Sequence, residues 1–310
     1  MQVATASLRG GAARRGVRAF GAVALALLVS CRSGAELPMA ERDRAGCEVS
    51  AAGPGGPVTD PSGPYYHQVA VATTTDGVTL SAPWLVLDHA SVPDAAVGPD
   101  GFPLIYYVNG ADGPVWIARL LDDTANVIGP LMLDGIARPA GVVDPDATRL
   151  SDGRIRLVYL SGFGPPGISV QRAFCVAESP DGVRFTVVQR ALWVPANFTD
   201  PSVTQLPDGS WLMGISLGGQ TVLARSSDGY GFAVYDTLNV GGVPEVHALA
   251  DGRVRLYVCR NGIESHLSAD RGVTWTREAT VVPSGVLSKR IVCDPSLVAG
   301  TNLFVFKTAD

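Results

Sequence analysis

From about residue 64 onward, short apolar runs recur along the chain, each three to five residues long and each set off by a turn. Leu104-Ile105-Tyr106-Tyr107, Ile155-Arg156-Leu157-Val158-Tyr159, Trp211-Leu212-Met213, Val254-Arg255-Leu256-Tyr257 and Leu303-Phe304-Val305-Phe306 read as β-strands. Asp-Gly precedes the first four, at 100–101, 152–153, 208–209 and 251–252, and Gly300-Thr301-Asn302 stands in its place before the fifth. Upstream of each turn lies a phrase built on proline and an acid. The five copies are Val92-Pro93-Asp94-Ala95, Asp144-Pro145-Asp146-Ala147, Asp200-Pro201-Ser202-Val203, Val243-Pro244-Glu245-Val246 and Asp294-Pro295-Ser296-Leu297.

The Asp-Gly turns are 52, 56 and 43 residues apart, the length of one four-stranded propeller blade. Each Asp-Gly is read as the positive-φ pair of a tight hairpin. The pattern predicts an all-β fold over residues 64–310, a five-bladed β-propeller of four-stranded antiparallel blades. The chain stops after two strands of the fifth blade, so residues 67–88 are expected to complete that blade and close the ring.

A second phrase falls between these copies. Ser268-Ala269-Asp270-Arg271-Gly272-Val273-Thr274-Trp275 resembles the Asp-box of sialidase-like propellers, with shorter relatives at Ser179-Pro180-Asp181-Gly182, Ser227-Asp228-Gly229 and Thr75-Asp76-Gly77. The resemblance implies a structural hairpin between outer strands, so Asp270 and its equivalents are not catalytic candidates.

Composition agrees with the strand pattern: 36 glycines, 22 prolines and only 17% charged residues among 310 suit many short strands joined by turns. A net charge of -5 leaves no basic footprint for nucleic acid.

The N-terminus reads as an address. Arg9, Arg14, Arg15 and Arg18 precede an apolar run from Ala19 to Val29, an export-signal pattern too short to span a bilayer. It ends in Leu28-Val29-Ser30-Cys31, which resembles the bacterial lipobox; the resemblance implies that Cys31 is acylated and begins the mature protein. Residues 1–30 are thus expected to be a signal peptide and 31–63 a lipidated cysteine and flexible tether rich in Gly and Pro. The domain would be exported and membrane-anchored, in the periplasm or at the cell surface, touching membrane only through its lipid, and monomeric. Cys47, Cys175, Cys259 and Cys293 remain for disulfides, with three pairings open. Cys259 and Cys293 fall in consecutive blades and are the first pair to test. No cysteine or histidine spacing suits structural zinc.

Innermost strands start near a propeller's axis, which places Asp94, Asp146 (or Asp144), Asp200, Glu245 and Asp294 around one funnel. Converging carboxyls raise one another's pKa values. A glycosidase uses such a set as acid and base, and the same oxygens could hold Ca or another hard cation, although no cofactor is required. Here the chain resembles the five-bladed glycosidases of the arabinanase, β-xylosidase and invertase superfamily. Carried over, the resemblance gives the catalytic roles of base to Asp94, pKa modulator to Asp200 and acid to Glu245, with Asp146, Asp294 and His247 lining the substrate site. Glu245 departs from the family pattern, standing in Pro-Glu-Val. The sialidase alternative needs three arginines, for which Arg119, Arg172 and Arg225 are the candidates, and a tyrosine nucleophile that has no counterpart. The bland reading is that Asp-Pro recurs because Asp caps a turn and Pro sets the entry to a strand. The expected function is therefore a glycoside hydrolase-like protein acting on an extracellular glycan, or a non-catalytic propeller binding a glycan or protein at the same funnel. Two loops, Gly162–Gly167 and Trp193–Phe198, are expected to rim it.

Overall fold

The computed structural model describes residues 42–57, 60, 62–164 and 171–310. The expected signal segment and Cys31 lie outside the described residues.

Among the described residues twenty-two strands form five sheets. The first blade is β3 (Ala90–Val97), β4 (Pro103–Asn109), β5 (Val115–Leu121) and β6 (Thr124–Pro130). The second is β9 (Val143–Arg149), β10 (Ile155–Ser161), β11 (Arg172–Ser179) and β12 (Arg184–Val194). β13 (Thr199–Gln205), β14 (Trp211–Leu217), β15 (Gln220–Ser226) and β16 (Ala233–Leu238) make the third. β17 (Pro244–Ala248), β18 (Val254–Cys259), β19 (Gly262–Ser268) and β20 (Thr276–Pro283) make the fourth. The fifth joins both ends of the chain: β21 (Ile291–Leu297) and β22 (Leu303–Ala309) are continued by β1 (His67–Thr73) and β2 (Trp84–Asp88). β1 pairs antiparallel with β22 from His67 opposite Ala309 to Thr73 opposite Leu303. The five-bladed ring and its closure by residues 67–88 are therefore as the repeat predicted.

Second strands such as β10 are buried along their whole length, because each blade is packed on both faces by its neighbours. Tyr106, Tyr159, Tyr257 and Phe304 are fully buried there, and five apolar clusters fill the five gaps between blades. Outermost strands such as β16 are largely exposed.

The Asp-Gly turns work differently from the expected positive-φ pair. Only the glycine is left-handed, with φ of 88°, 88°, 86° and 89° at Gly101, Gly153, Gly209 and Gly252. The aspartate instead accepts a hydrogen bond from the N–H two residues on, as Asp152 does from Arg154 (3.0 Å) and Asp208 from Ser210 (3.0 Å).

The outer turns lock each blade to the one before it. In the β11–β12 turn the Ser179 hydroxyl accepts the Gly182 N–H and Asp181 accepts the N–H groups of Val183 and Arg184. The Gly182 carbonyl then takes the buried Tyr106 hydroxyl of the first blade at 2.8 Å. The same hydroxyl-and-carboxylate pattern recurs at Ser226 and Asp228, Ser268 and Asp270, and Thr74 and Asp76.

Two features depart from four plain strands preceded by a tether. A short hairpin, β7 (Met132–Leu133) and β8 (Ile136–Ala137), extends the second sheet to six strands by parallel pairing of β7 with β12. Residues 42–57 lie against the second blade, with Cys47 disulfide-bonded to Cys175 and the Ala52 N–H donating to Arg138 O. Specific contacts override the Gly and Pro composition that suggested a free linker. Cys259 and Cys293 form the other disulfide, joining the fourth and fifth blades.

Candidate functional site

The proline phrase lies on the innermost strand of every blade, and its local geometry sorts the acids into two tiers. In four blades the residue before proline is left-handed: Val92 (φ 48°), Asp144 (51°), Asp200 (48°) and Asp294 (49°). The pairing to the next strand slips at the same place, the mark of a β-bulge. The fourth blade pairs regularly from Pro244 onward. The residue before proline belongs to one tier and the residue after it to the next.

The inner tier is Asp94, Asp146, Ser202, Glu245 and Ser296. Four of them cap the following blade, one residue past the equivalent position. Asp94 accepts the Ala147 N–H, Asp146 the Val203 N–H (3.1 Å), Ser202 the Val246 N–H (3.0 Å) and Ser296 the Ala95 N–H (3.3 Å). Glu245 stands near the Leu297 N–H, which holds its pKa down against desolvation, and accepts the Ser202 hydroxyl at 2.6 Å.

Asp94, Asp146 and Glu245 bring carboxyl oxygens within 4.8 Å of one another. They are 7%, 5% and 7% exposed. Desolvation pushes Asp94 up to about 6, against the pull of Ser296 and the Ala147 N–H. Desolvation, then the charge of Asp94, raises Asp146 and Glu245 well above the usual carboxylate range. Their oxygens suit a hard cation, and among the described residues the only other such cluster contains the Cys259–Cys293 disulfide, whose sulfurs are spent. The triad separates two small cavities on the axis, about 20 and 40 Å³, each with room for a water or two. His247 lines the cavity away from the mouth, and burial lowers it to about 4, so it is neutral at physiological pH.

The outer tier is Val92, Asp144, Asp200, Val243 and Asp294. The Asp144 carboxylate accepts the Asp200 N–H at 3.2 Å. Lys307, from β22, forms an ion pair with Asp294 at 2.6 Å. Desolvation, then Asp144 and Asp294, raises Asp200 well above its ordinary value, and desolvation lifts Asp144 to about 6. Asp200 is half-buried, so it faces the mouth more openly than Asp144 or Asp294.

The expected catalytic set is thus divided: Asp94 and Glu245 meet in the inner tier with Asp146, whereas Asp200 stands in the outer tier with Asp144 and Asp294. Lys307 carries no motif of its own. Its role is visible in sequence only through its place on the strand that pairs with Asp294's strand.

The fold is that of a five-bladed propeller of the kind found among glycoside hydrolases. No family model matches the sequence, and no characterised protein matches it in sequence. Solved structures do match in shape. A protein of unknown function from Dyadobacter fermentans superposes with a TM-score of 0.56 at 17% identity, over 81% of this chain and 85% of its own. A thermostable family-43 glycoside hydrolase superposes with a TM-score of 0.54 at 11% identity, over 71% of this chain and 83% of its own.

Proposed function

We propose that this protein binds a glycan at the mouth of its propeller and does not hydrolyse it through Asp94 and Glu245. The observation that carries this reading is the inner tier. A retaining glycosidase separates its two carboxyls by about 5–5.5 Å and an inverting one by about 6.5–9.5 Å, with a sugar between them. Here Asp94 and Glu245 are buried and hydrogen-bonded to neighbouring blades, and the cavities beside them, about 20 and 40 Å³, have room for a water or two and not for a sugar ring. Glycan arrays and reducing-end assays on the full chain test it. Binding without turnover, unchanged within about twofold in Glu245→Gln, is the expected result. Hydrolysis abolished by Glu245→Gln in a folded protein would overturn it.

The outer tier supports a second reading, hydrolysis at the mouth. Desolvation, then the charges of Asp144 and Asp294, raises Asp200 well above the ordinary carboxylate range, while Asp294 is ion-paired with Lys307; general acid–base chemistry needs two carboxyls in such unlike surroundings. Turnover lost in Asp200→Asn but kept in Glu245→Gln would select it.

The same proposal places the domain outside the cytoplasm, tethered through Cys31. Two disulfides among the described residues favour an oxidising compartment. Cys31→Ser is expected to abolish incorporation of labelled palmitate and release the protein from the membrane fraction; unaltered labelling would remove the anchor.

A further inference from the structure

Away from the axis, a cavity of about 930 Å³ lies between the first two blades, in the size range of small-molecule sites. Val143 lines it, and its chain neighbour Asp144 lines the channel mouth. The cavity and the outer tier are thus lined by consecutive residues of β9. Val108 and Val142, both buried, contribute its apolar lining with Pro64 and Pro114. Phe163 adds an aromatic ring that is 48% exposed, with the Arg172 guanidinium 5.2 Å above it.

The cavity is preformed. One side is the leading segment, which is held by the Cys47–Cys175 disulfide and by the Ala140 N–H donating to Ser50 O at 2.8 Å. The segment lies flat because glycine lets it: a Cβ on Gly110 would come within 2.3 Å of the Pro64 backbone, and one on Gly55 within 2.1 Å of Asp112. A site that needs no ordering on binding loses less entropy.

Each polar side chain on the lining already has a partner, Asp60 accepting the Ser62 N–H (2.8 Å) and hydroxyl (2.7 Å). Asn109 Oδ1 accepts the Ala111 and Asp112 N–H groups, and Asp112 takes Arg138 at 2.8 Å and Trp116 Nε1 at 3.0 Å. What remains to reward a ligand is apolar contact, and the adjoining carboxylates disfavour an anion. We propose that this cavity is a subsite for an uncharged apolar group, alkyl, acyl or aryl, carried on the glycan that the mouth binds; the sugar half of this statement rests on the function proposed above.

The test uses n-hexanol and the matched pair n-hexyl and methyl β-D-glucopyranoside, titrated into the full chain and followed by ligand-observed NMR. Hexyl glucoside is expected to bind at least about tenfold tighter than methyl glucoside, in line with several buried methylenes. Gly53→Trp should erase that advantage, because Gly53 lines the cavity and no atom lies within 4 Å of where its Cβ would stand. Phe163→Ala, which removes an exposed ring, should reduce it severalfold. Equal binding of the two glucosides would overturn the subsite and leave the glycan reading intact. An advantage that survives both substitutions would overturn it too. Hexanol binding that Gly53→Trp removes, with hexyl glucoside no better than hexanol, would keep the apolar subsite and discard the glycan reading.

Discussion

Asp146 shows how a single residue carries both the architecture and the electrostatic tension of the channel. One oxygen accepts the Val203 N–H and the other has no protein partner, while two more carboxyls stand within 4.8 Å. Asp146→Ala should cost about 1–3 kcal/mol by leaving the Val203 N–H unpaired. Asp146→Asn keeps that acceptor, removes a charge and should stabilise the protein at pH 8. The pH dependence follows from the direction of the shifts. Asp94 and Asp144 titrate near 6 in the folded chain, above their unfolded values, so the native state binds more protons than the unfolded one between about pH 4 and 6. Their contribution is complete below that window and lost as pH rises through 6. At the acid end Asp181 works in the opposite sense: backbone N–H groups of Arg184 and Val183 outweigh its desolvation and hold it at about 2. Chemical denaturation is thus expected to show greater stability near pH 5 than at pH 8, with the difference reduced in Asp146→Asn. A profile flat across that range and shifted by a chelator would assign the charge balance to a bound cation.

At the scale of the strand and turn, the repeated elements earn their recurrence by what they join. The outer turn of each of four blades spends its hydroxyl and carboxylate on its own backbone, which presents a carbonyl to the preceding blade. Gly182 O receives Tyr106, Gly77 O receives Tyr257 at 2.7 Å and Gly229 O receives Arg156 at 3.2 Å. Tyr106→Phe should cost about 1 kcal/mol in urea denaturation, because the lost donor leaves a buried carbonyl without its partner. Ser179→Ala should cost a similar amount from the other side of the same contact. The double variant should lose less than the sum, since both act on one turn. Additive losses would separate the turn's own geometry from the lock between blades. These turns were legible in the sequence because their hydrogen bonds are local. Their reach into the neighbouring blade was not, since Tyr106 and Gly182 are 76 residues apart in the chain.

For the whole molecule, the ring is closed twice, by β1 on β22 and by the leading segment on the second blade. The Cys47–Cys175 disulfide spans 128 residues, and a loop of that length is worth about 2–4 kcal/mol or somewhat more. Replacing both cysteines with alanine is expected to lower stability by that order. It should also open residues 42–57 to limited proteolysis while the blades stay folded, as a cut-site map would show. A resistant segment would mean that its hydrogen bonds and ion pairs, those of Asp43 and Arg44 with Arg190 and Asp134 among them, hold it without the disulfide.

The number of blades, their order and the way the ring closes were determined by the sequence alone, because turn chemistry and strand alternation are local and repeat in register. The acids at the start of each blade were equally legible as a set. Which of them meet was decided only by the tertiary structure. A left-handed residue before proline bulges the strand in four blades and not in the fourth blade in chain order. That separates Asp144, Asp200 and Asp294 from Asp94, Asp146 and Glu245 by a single proline. A carboxyl's neighbours across the axis come from other blades, some fifty residues away in the chain. Spacing along one strand therefore says where each side chain starts, and only the closed ring says what it faces.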